Sequence, residues 1–179
     1  MPRLFIAAWA GQAVRERAQE TALALRGRGL DARFYAPEQL HATLAFLGML
    51  GDQRTAAVEA ACAAAAAAET PFELIVDRLG GFPNTQRASV LWLGTSGSDA
   101  AFRGTANALR ERLRESEIAY DAKEALAHVT IARAKVPVRL PALEVAPVRW
   151  AVGEIALVQS ATLPEGARYR TLARWRLGG

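Results

Sequence analysis

The chain holds only two histidines, and each opens the same short pattern, His41-Ala42-Thr43-Leu44 and His128-Val129-Thr130-Ile131. With ten threonines among 179 residues, both histidines being followed by Thr two places on has a chance of roughly one in 300, so the recurrence is signal. Residues i and i+2 of a strand project from one face, so in each copy His and Thr point together. If the copies face each other across a pseudo-two-fold axis, two imidazoles and two hydroxyls meet in one cleft. That set suits a phosphodiester. A neutral imidazole can take a proton from water while a protonated one gives a proton to the leaving oxygen, and an ordinary pKa near 6.5 lets histidine fill either role. The hydroxyls of Thr43 and Thr130 can donate to non-bridging phosphate oxygens. The plainer alternative is a hydrogen-bonded strand histidine followed by a strand-favouring Thr.

Other chemistries are poorly supplied. Two histidines without a paired carboxylate nearby fall short of the three protein ligands usual at a catalytic zinc, so no metal and no cofactor are expected. Cys62 is the only cysteine, which excludes an intramolecular disulfide or a multi-cysteine cage and reads as a buried helix residue in a reducing compartment. Gly80-Gly81 is not a phosphate loop, because no Gly-Lys-Ser/Thr follows.

The elements that must position these residues alternate short strands with amphipathic helices. A strand over Arg3 to Trp9 leads to a helix from about Gln12 to Arg26, with Val14, Ala18, Ala22 and Leu25 on one face and Gly27 and Gly29 stopping it. Ala32 to Tyr35 is extended, Pro37-Glu38 turns, and a strand runs from His41 to Gly48. Asp52 N-caps a helix to Glu69. Phe72 to Leu79 and Ala88 to Gly94 read as two strands joined by a Gly80-Gly81-Phe82-Pro83-Asn84 loop. Ser98 or Asp99 then caps a helix to Glu117, Ile118 to Tyr120 is extended, and His128 opens an apolar strand. Leu4 to His41 spans 37 residues and Val90 to His128 spans 38, so strand, helix, extended piece and His-strand recur at almost one spacing. Pro137 to Pro147 is a loop before strands at Val152 to Gln159 and Arg168 to Trp175, a pair that echoes the 72 to 94 hairpin. The expectation is a single α+β domain over residues 1–179, of two lobes, each an antiparallel sheet with helices on its outer face, meeting at a cleft.

Composition agrees with that class. At 51% apolar and 22% charged residues, disordered and collagen-like readings fail, and a chain of this length buries roughly 70% of its unfolded surface without staples. The apolar run Leu4 to Ala10 is followed at once by Gly11-Gln12 and Arg15-Glu16-Arg17, which reads as a strand and not a signal peptide. No run approaches the roughly 20 apolar residues needed to cross a bilayer, so a soluble, cytoplasmic protein without membrane contact is expected, as a monomer. Net charge is +4, from 22 basic and 18 acidic residues. That balance favours an anionic partner but falls far short of a duplex-coating protein. A solvated arginine-rich surface is the competing reading.

At this point the sequence resembles the two-histidine phosphoesterases, and within them the RNA 2′,3′-cyclic phosphodiesterases, also called 2′-5′ RNA ligases. The resemblance runs through Arg3-Leu4-Phe5-Ile6-Ala7, Pro37 to Gly48, Gly80-Gly81-Phe82-Pro83 before Val90-Leu91-Trp92, His128 to Arg133, and Val158-Gln159-Ser160 through Gly166-Ala167-Arg168-Tyr169. It implies a bilobal fold of two pseudo-symmetric lobes around a central cleft. It also implies metal-independent opening of RNA 2′,3′-cyclic phosphate ends, or of small cyclic nucleotides, to 2′-phosphomonoesters. By family roles His41 protonates the departing 3′ oxygen and His128 activates water. Arg133 clamps the phosphate. Strict alternation puts Arg133 on the face opposite His128, so that role requires a bulge or twist; an exposed strand-end arginine is its alternative. Ala127 stands where the family usually has proline. Lys123, Lys135 and Arg139 could track an RNA backbone or form a solvated rim, and Phe46, Trp92 and Tyr169 could stack a base or belong to the core. Two other functions use the same cleft: joining of RNA ends as a 2′-5′ linkage, and capture of phosphorylated ends without turnover.

Overall fold

The computed structural model describes residues 3–97, 99–164 and 166–179. In chain order the elements are β1 (Arg3–Trp9), α1 (Gln12–Gly27), β2 (Arg33–Phe34), a 3-10 turn (Pro37–Gln39), β3 (His41–Met49), α2 (Thr55–Ala68), β4 (Phe72–Val76), β5 (Arg78–Phe82) and β6 (Ala88–Gly94). There follow α3 (Ala100–Glu115), β7 (His128–Val138), β8 (Val148–Val152), β9 (Glu154–Leu163) and β10 (Gly166–Arg176). Two four-stranded antiparallel sheets, ordered β10-β9-β1-β3 and β2-β7-β6-β5, are accompanied by the two-stranded pair β4-β8. This is the α+β class expected from the sequence.

The internal repeat is real at the level of pairing. In each half the strand that precedes the helix pairs with the strand that begins at histidine, β1 with β3 and β6 with β7. Both intervening helices also stop in the same way. Leu30 N–H bonds to the Leu25 carbonyl and Gly29 N–H to that of Arg26, while Ile118 N–H bonds to the Leu113 carbonyl and Glu117 N–H to that of Arg114. This double bond pattern places one residue in the left-handed region at each helix end. Gly29 holds that position at φ 75° and Glu117 at φ 54°.

The halves exchange strands, however. The short β2 of the first half borders β7, and β9 and β10 from the C-terminal end join β1. The helices are exchanged as well: α1 packs on β8, whereas α3 packs on β3 and α2 on β9 and β10. A continuous apolar core runs from Leu4, Ile6 and Leu44 in one sheet to Leu91, Leu93 and Ile131 in the other. Cys62 is buried within it, as expected of an apolar helix face.

Several sequence expectations require correction. Phe72 to Leu79 is not one strand: Asp77 turns the chain, accepting from the Ser96 N–H at 2.7 Å, so residues before it pair with β8 and residues after it with β6. Gly80-Gly81-Phe82 belongs to β5 rather than to a loop. Its glycines make room for a side chain on β6, and the turn comes later, where Asn84 Oδ1 accepts the N–H groups of Gln86 and Arg87. The C-terminal hairpin echoes residues 72 to 94 only in part: β9 flanks β1 as β5 flanks β6, while β10 extends the first sheet beyond it. β7 extends through Pro137 to Val138, shortening the expected loop. Asp52 caps no helix, because Asp52–Arg54 forms a tight 3-10 turn and α2 starts at Thr55. Ser98 lies outside the described residues. Asp99 occupies the N-cap position of α3, but its carboxylate accepts the Ala127 N–H at 3.2 Å and pairs with Arg103 at 3.0 Å. Among the described residues no helix is long and apolar enough to cross a membrane.

Candidate active site

The two sheets turn one face each toward a shared cleft, and pairing registers show which residues lie on it. On β3, His41 sits opposite Trp9 and Thr43 opposite Ala7; on β7, His128 sits opposite Gly94 and Thr130 opposite Trp92. The register then slips at the same place in both strands. Ile6 pairs with Ala45 and Ala7 with Thr43, leaving Leu44 extra; Leu91 pairs with Ala132 and Trp92 with Thr130, leaving Ile131 extra. A bulge reverses the alternation beyond it. The adjacent residues Leu44-Ala45 and Ile131-Ala132 are all buried, and the fifth residue after each histidine comes back to the cleft. That residue is Phe46 in one strand and Arg133 in the other. The bulge that Arg133 required is present.

A cavity of about 400 Å³ is lined by His41, Thr43, His128, Thr130 and Arg133 together with Phe5, Tyr35, Gln39, Phe46, Asp121, Lys123, Ser160 and Tyr169. All five site residues singled out in the sequence thus meet in one place. Each imidazole is oriented by the carbonyl two residues before it: His41 Nδ1 lies 2.7 Å from the Gln39 oxygen and His128 Nδ1 lies 3.0 Å from the Leu126 oxygen. A carbonyl only accepts, so Nδ1 carries the hydrogen in both rings and Nε2 is the nitrogen available for proton transfer. His41 stacks on Phe5 with ring centroids 4.8 Å apart, with the edges of Trp9 at 5.5 Å and Tyr169 at 5.2 Å. Phe5, Ala7, Ala156 and Val158 form the apolar floor below. His128 is flanked by Phe82 at 5.0 Å and Trp92 at 6.1 Å.

Burial pushes the His41 pKa down to about 4, with the nearby His128 charge adding to the effect and the Gln39 hydrogen bond opposing it. Burial lowers His128 as well, against the pull of the Leu126 carbonyl. Desolvation disfavours the charged imidazole in each case. The Tyr169 hydroxyl is raised, first by burial and then by Tyr35, with Arg133 acting in the opposite sense. Arg133 Nε donates to the Tyr35 hydroxyl at 3.0 Å, which leaves both terminal nitrogens of the guanidinium for an anion.

The softer sequence candidates separate. Lys123 lines the cleft, whereas Arg139 lines a different cavity near Arg28 and Leu79. Lys135 is exposed and borders neither. Tyr169 and the 40% exposed Phe46 face the cleft, but Trp92 is only 8% exposed and stands behind His128, outside the cavity lining. Sequence reading missed Tyr35, Gln39, Asp121 and Ser160. Tyr35, Asp121 and Ser160 arrive from other segments, and only folding places them beside the histidines; Gln39 lies two residues before His41. Among the described residues no three His, Cys, Asp or Glu side chains are grouped to hold a metal ion.

Two facing sheets, each presenting a His-x-Thr pair to a common cleft, define a two-histidine phosphoesterase. The chain belongs to the 2′-5′ RNA ligase superfamily, whose family model matches residues 12–162. An RNA 2′,3′-cyclic phosphodiesterase of Archaeoglobus fulgidus is 31% identical over 134 residues, covering 74% of this chain and 73% of its own. Among solved structures, TT0787 of Thermus thermophilus superposes with a TM-score of 0.81 at 31% identity, covering 99% of this chain and 98% of its own. LigT of E. coli complexed with 3′-AMP gives 0.82 at 25% identity over the whole of both chains.

Proposed function

We propose that this protein hydrolyses terminal 2′,3′-cyclic phosphates of RNA to 2′-phosphomonoesters. The observation that carries the reading is the convergence of His41, Thr43, His128, Thr130 and Arg133 on one cleft of about 400 Å³. Water attacks phosphorus in line with the bond to the 3′ oxygen. That bond breaks, the 2′ oxygen keeps the phosphate, His128 Nε2 takes the proton of the attacking water, and His41 Nε2 gives one to the leaving 3′ oxygen. Arg133 and the two Thr hydroxyls hold the non-bridging oxygens as charge builds on them. The sequence of steps uses no metal.

Burial favours the neutral form of both rings in the free protein, so near pH 7 the acid has to be charged as substrate arrives. An anionic phosphate between the rings favours the protonated imidazole, and the proton enters with the ligand. The pseudo-symmetry is broken where Phe46 faces Arg133 across the motifs. Phe46 offers an apolar plate to the terminal base and sugar, and Arg133 offers charge to the phosphate.

The test is an RNA oligonucleotide ending in a 2′,3′-cyclic phosphate, incubated with the protein in EDTA, with the product phosphate mapped by position. A 2′-phosphomonoester supports the reading. Retained binding without turnover identifies an end-binding protein instead, and a 3′-phosphomonoester reverses the assigned leaving group.

A further inference from the structure

The wall behind His128 is built on two glycines. Trp92 lies across the second sheet from Thr130 on one side and Gly80 on the other, and Gly94 lies two residues along its own strand, opposite His128. A Cβ added at Gly80 would meet Cζ2 and Cη2 of Trp92 far inside van der Waals contact, with Cε2 at 2.6 Å. A Cβ added at Gly94 would fall 2.8 Å from Cζ3 of the same ring and 3.1 Å from the Ala127 carbonyl oxygen. Neither glycine has the positive φ that calls for glycine on backbone grounds. The indole is what requires their missing side chains.

We propose that Trp92, seated flat between Gly80 and Gly94, is a positioning residue that fixes the ring of His128. The inference rests on His128 acting in the cleft, as argued above. One hydrogen bond, from Nδ1 to the Leu126 carbonyl, sets which nitrogen faces the cleft; ring packing must set the tilt. His41 has three aromatic rings around it, whereas His128 has two, Phe82 and Trp92, which also contact each other at 5.4 Å. The guanidinium of Arg78 covers the indole, 5.2 Å from the ring centroid. With so few contacts, an indole lifted by one methyl group from below transmits its displacement to the imidazole. A misplacement of about 1 Å at a reacting group costs up to about a hundredfold in rate.

The experiment compares Gly80→Ala, Trp92→Phe and the double variant Gly80→Ala/Trp92→Phe. Phenylalanine lacks the Cζ2 and Cη2 atoms that a Cβ at position 80 would strike. Gly153→Ala, where an added Cβ meets nothing within 4 Å, is the control. Each is assayed for turnover of a cyclic-phosphate oligonucleotide and by NMR of 13C-labelled histidine, in which two ring signals are expected from two histidines and His41→Gln assigns them. Gly80→Ala should lower kcat roughly tenfold to a hundredfold with little change in KM, and should move the His128 signal while that of His41 stays. In the Trp92→Phe background the same methyl should cost little. Wild-type kcat and an unmoved His128 signal in folded Gly80→Ala overturn the proposal, as does an equal loss in both backgrounds. Should Gly80→Ala fail to fold, Trp92→Phe decides alone: an unmoved His128 signal overturns the seat. Absence of wild-type turnover would count against the proposed activity, and the His128 signals would still test the seat.

Discussion

The Gln39 carbonyl accepts the Nδ1–H of His41 at 2.7 Å, leaving Nε2 as the only ring nitrogen able to exchange a proton in the cleft. Leu126 does the same for His128. Proton transfer then depends on both Nε2 atoms together. His41→Ala and His128→Ala should each lower kcat roughly 10²- to 10⁴-fold. Removing both should cost little more than removing one, because groups that act as a unit are not additive. Single-turnover rates of the three variants check this; a double loss near the product of the single losses would separate the two rings.

Burial holds the free His41 imidazole near pKa 4, well below its unfolded value of about 6.5. Dimethyl phosphate carries one unchanging negative charge across this range and should raise the His41 midpoint when bound. By linkage, its affinity then increases as pH falls from the bound toward the free midpoint. Histidine NMR with and without the anion reads both values, and a free midpoint near 6.5 would contradict the burial argument. The same shift sets a stability slope. Between about pH 6.5 and 4 the unfolded chain binds more protons than the native one, so this stability is complete above that window and is lost as pH falls through it. The loss is on the order of 2 to 3 kcal/mol, and His41→Gln should flatten the corresponding urea-midpoint profile.

The histidines and threonines were legible because each motif is local and occurs twice. Arg133 was harder. Alternation placed it on the wrong face, although the adjacent apolar pairs Leu44-Ala45 and Ile131-Ala132 already broke the period in both strands. Tyr35 and Ser160 left no local mark, since their neighbours in the cleft come from distant pairing, β2 on β7 and β9 on β1. Gln39 stands two residues before His41 in sequence, but its side chain is fixed by donating to the distant Ala167 carbonyl at 2.7 Å. Gly80-Gly81 misled for a different reason. A glycine that admits a neighbour's indole has the same local signature as one that lets the chain turn.

Glu117 holds a left-handed φ of 54° at the end of α3, where α1 uses Gly29. An L-residue with a Cβ is disfavoured there by roughly 1–2 kcal/mol, partly offset by the larger freedom of an unfolded glycine. The Arg54 guanidinium donates to the Glu117 main-chain carbonyl, a contact that glycine would keep. Glu117→Gly should therefore raise stability by about 1 kcal/mol and Tm by roughly 2–4 °C, with turnover unchanged. Thermal unfolding checks it, and a lowered Tm would mean that the side chain matters more than the backbone.

Tyr35 joins two features of the second motif. Its N–H bonds to the carbonyl of the bulged Ile131 at 2.9 Å, and its hydroxyl accepts from Arg133 Nε at 3.0 Å. One residue thus steadies the bulge that returns Arg133 to the cleft and holds the guanidinium edge, leaving the other edge for phosphate. Arg133→Ala should lower kcat/KM by roughly 10²- to 10³-fold. Arg133→Lys should recover little of it, because an ammonium cannot meet the tyrosine and present a fork together. Tyr35→Phe keeps the main-chain bond and loses only the hydroxyl contact, worth roughly 0.5–1.5 kcal/mol, or about two- to tenfold. In the Arg133→Ala background it should cost almost nothing, since the hydroxyl acts through the arginine. Steady-state kinetics of the four variants decide the matter: equal Tyr35→Phe losses in both backgrounds would place the hydroxyl on the substrate itself.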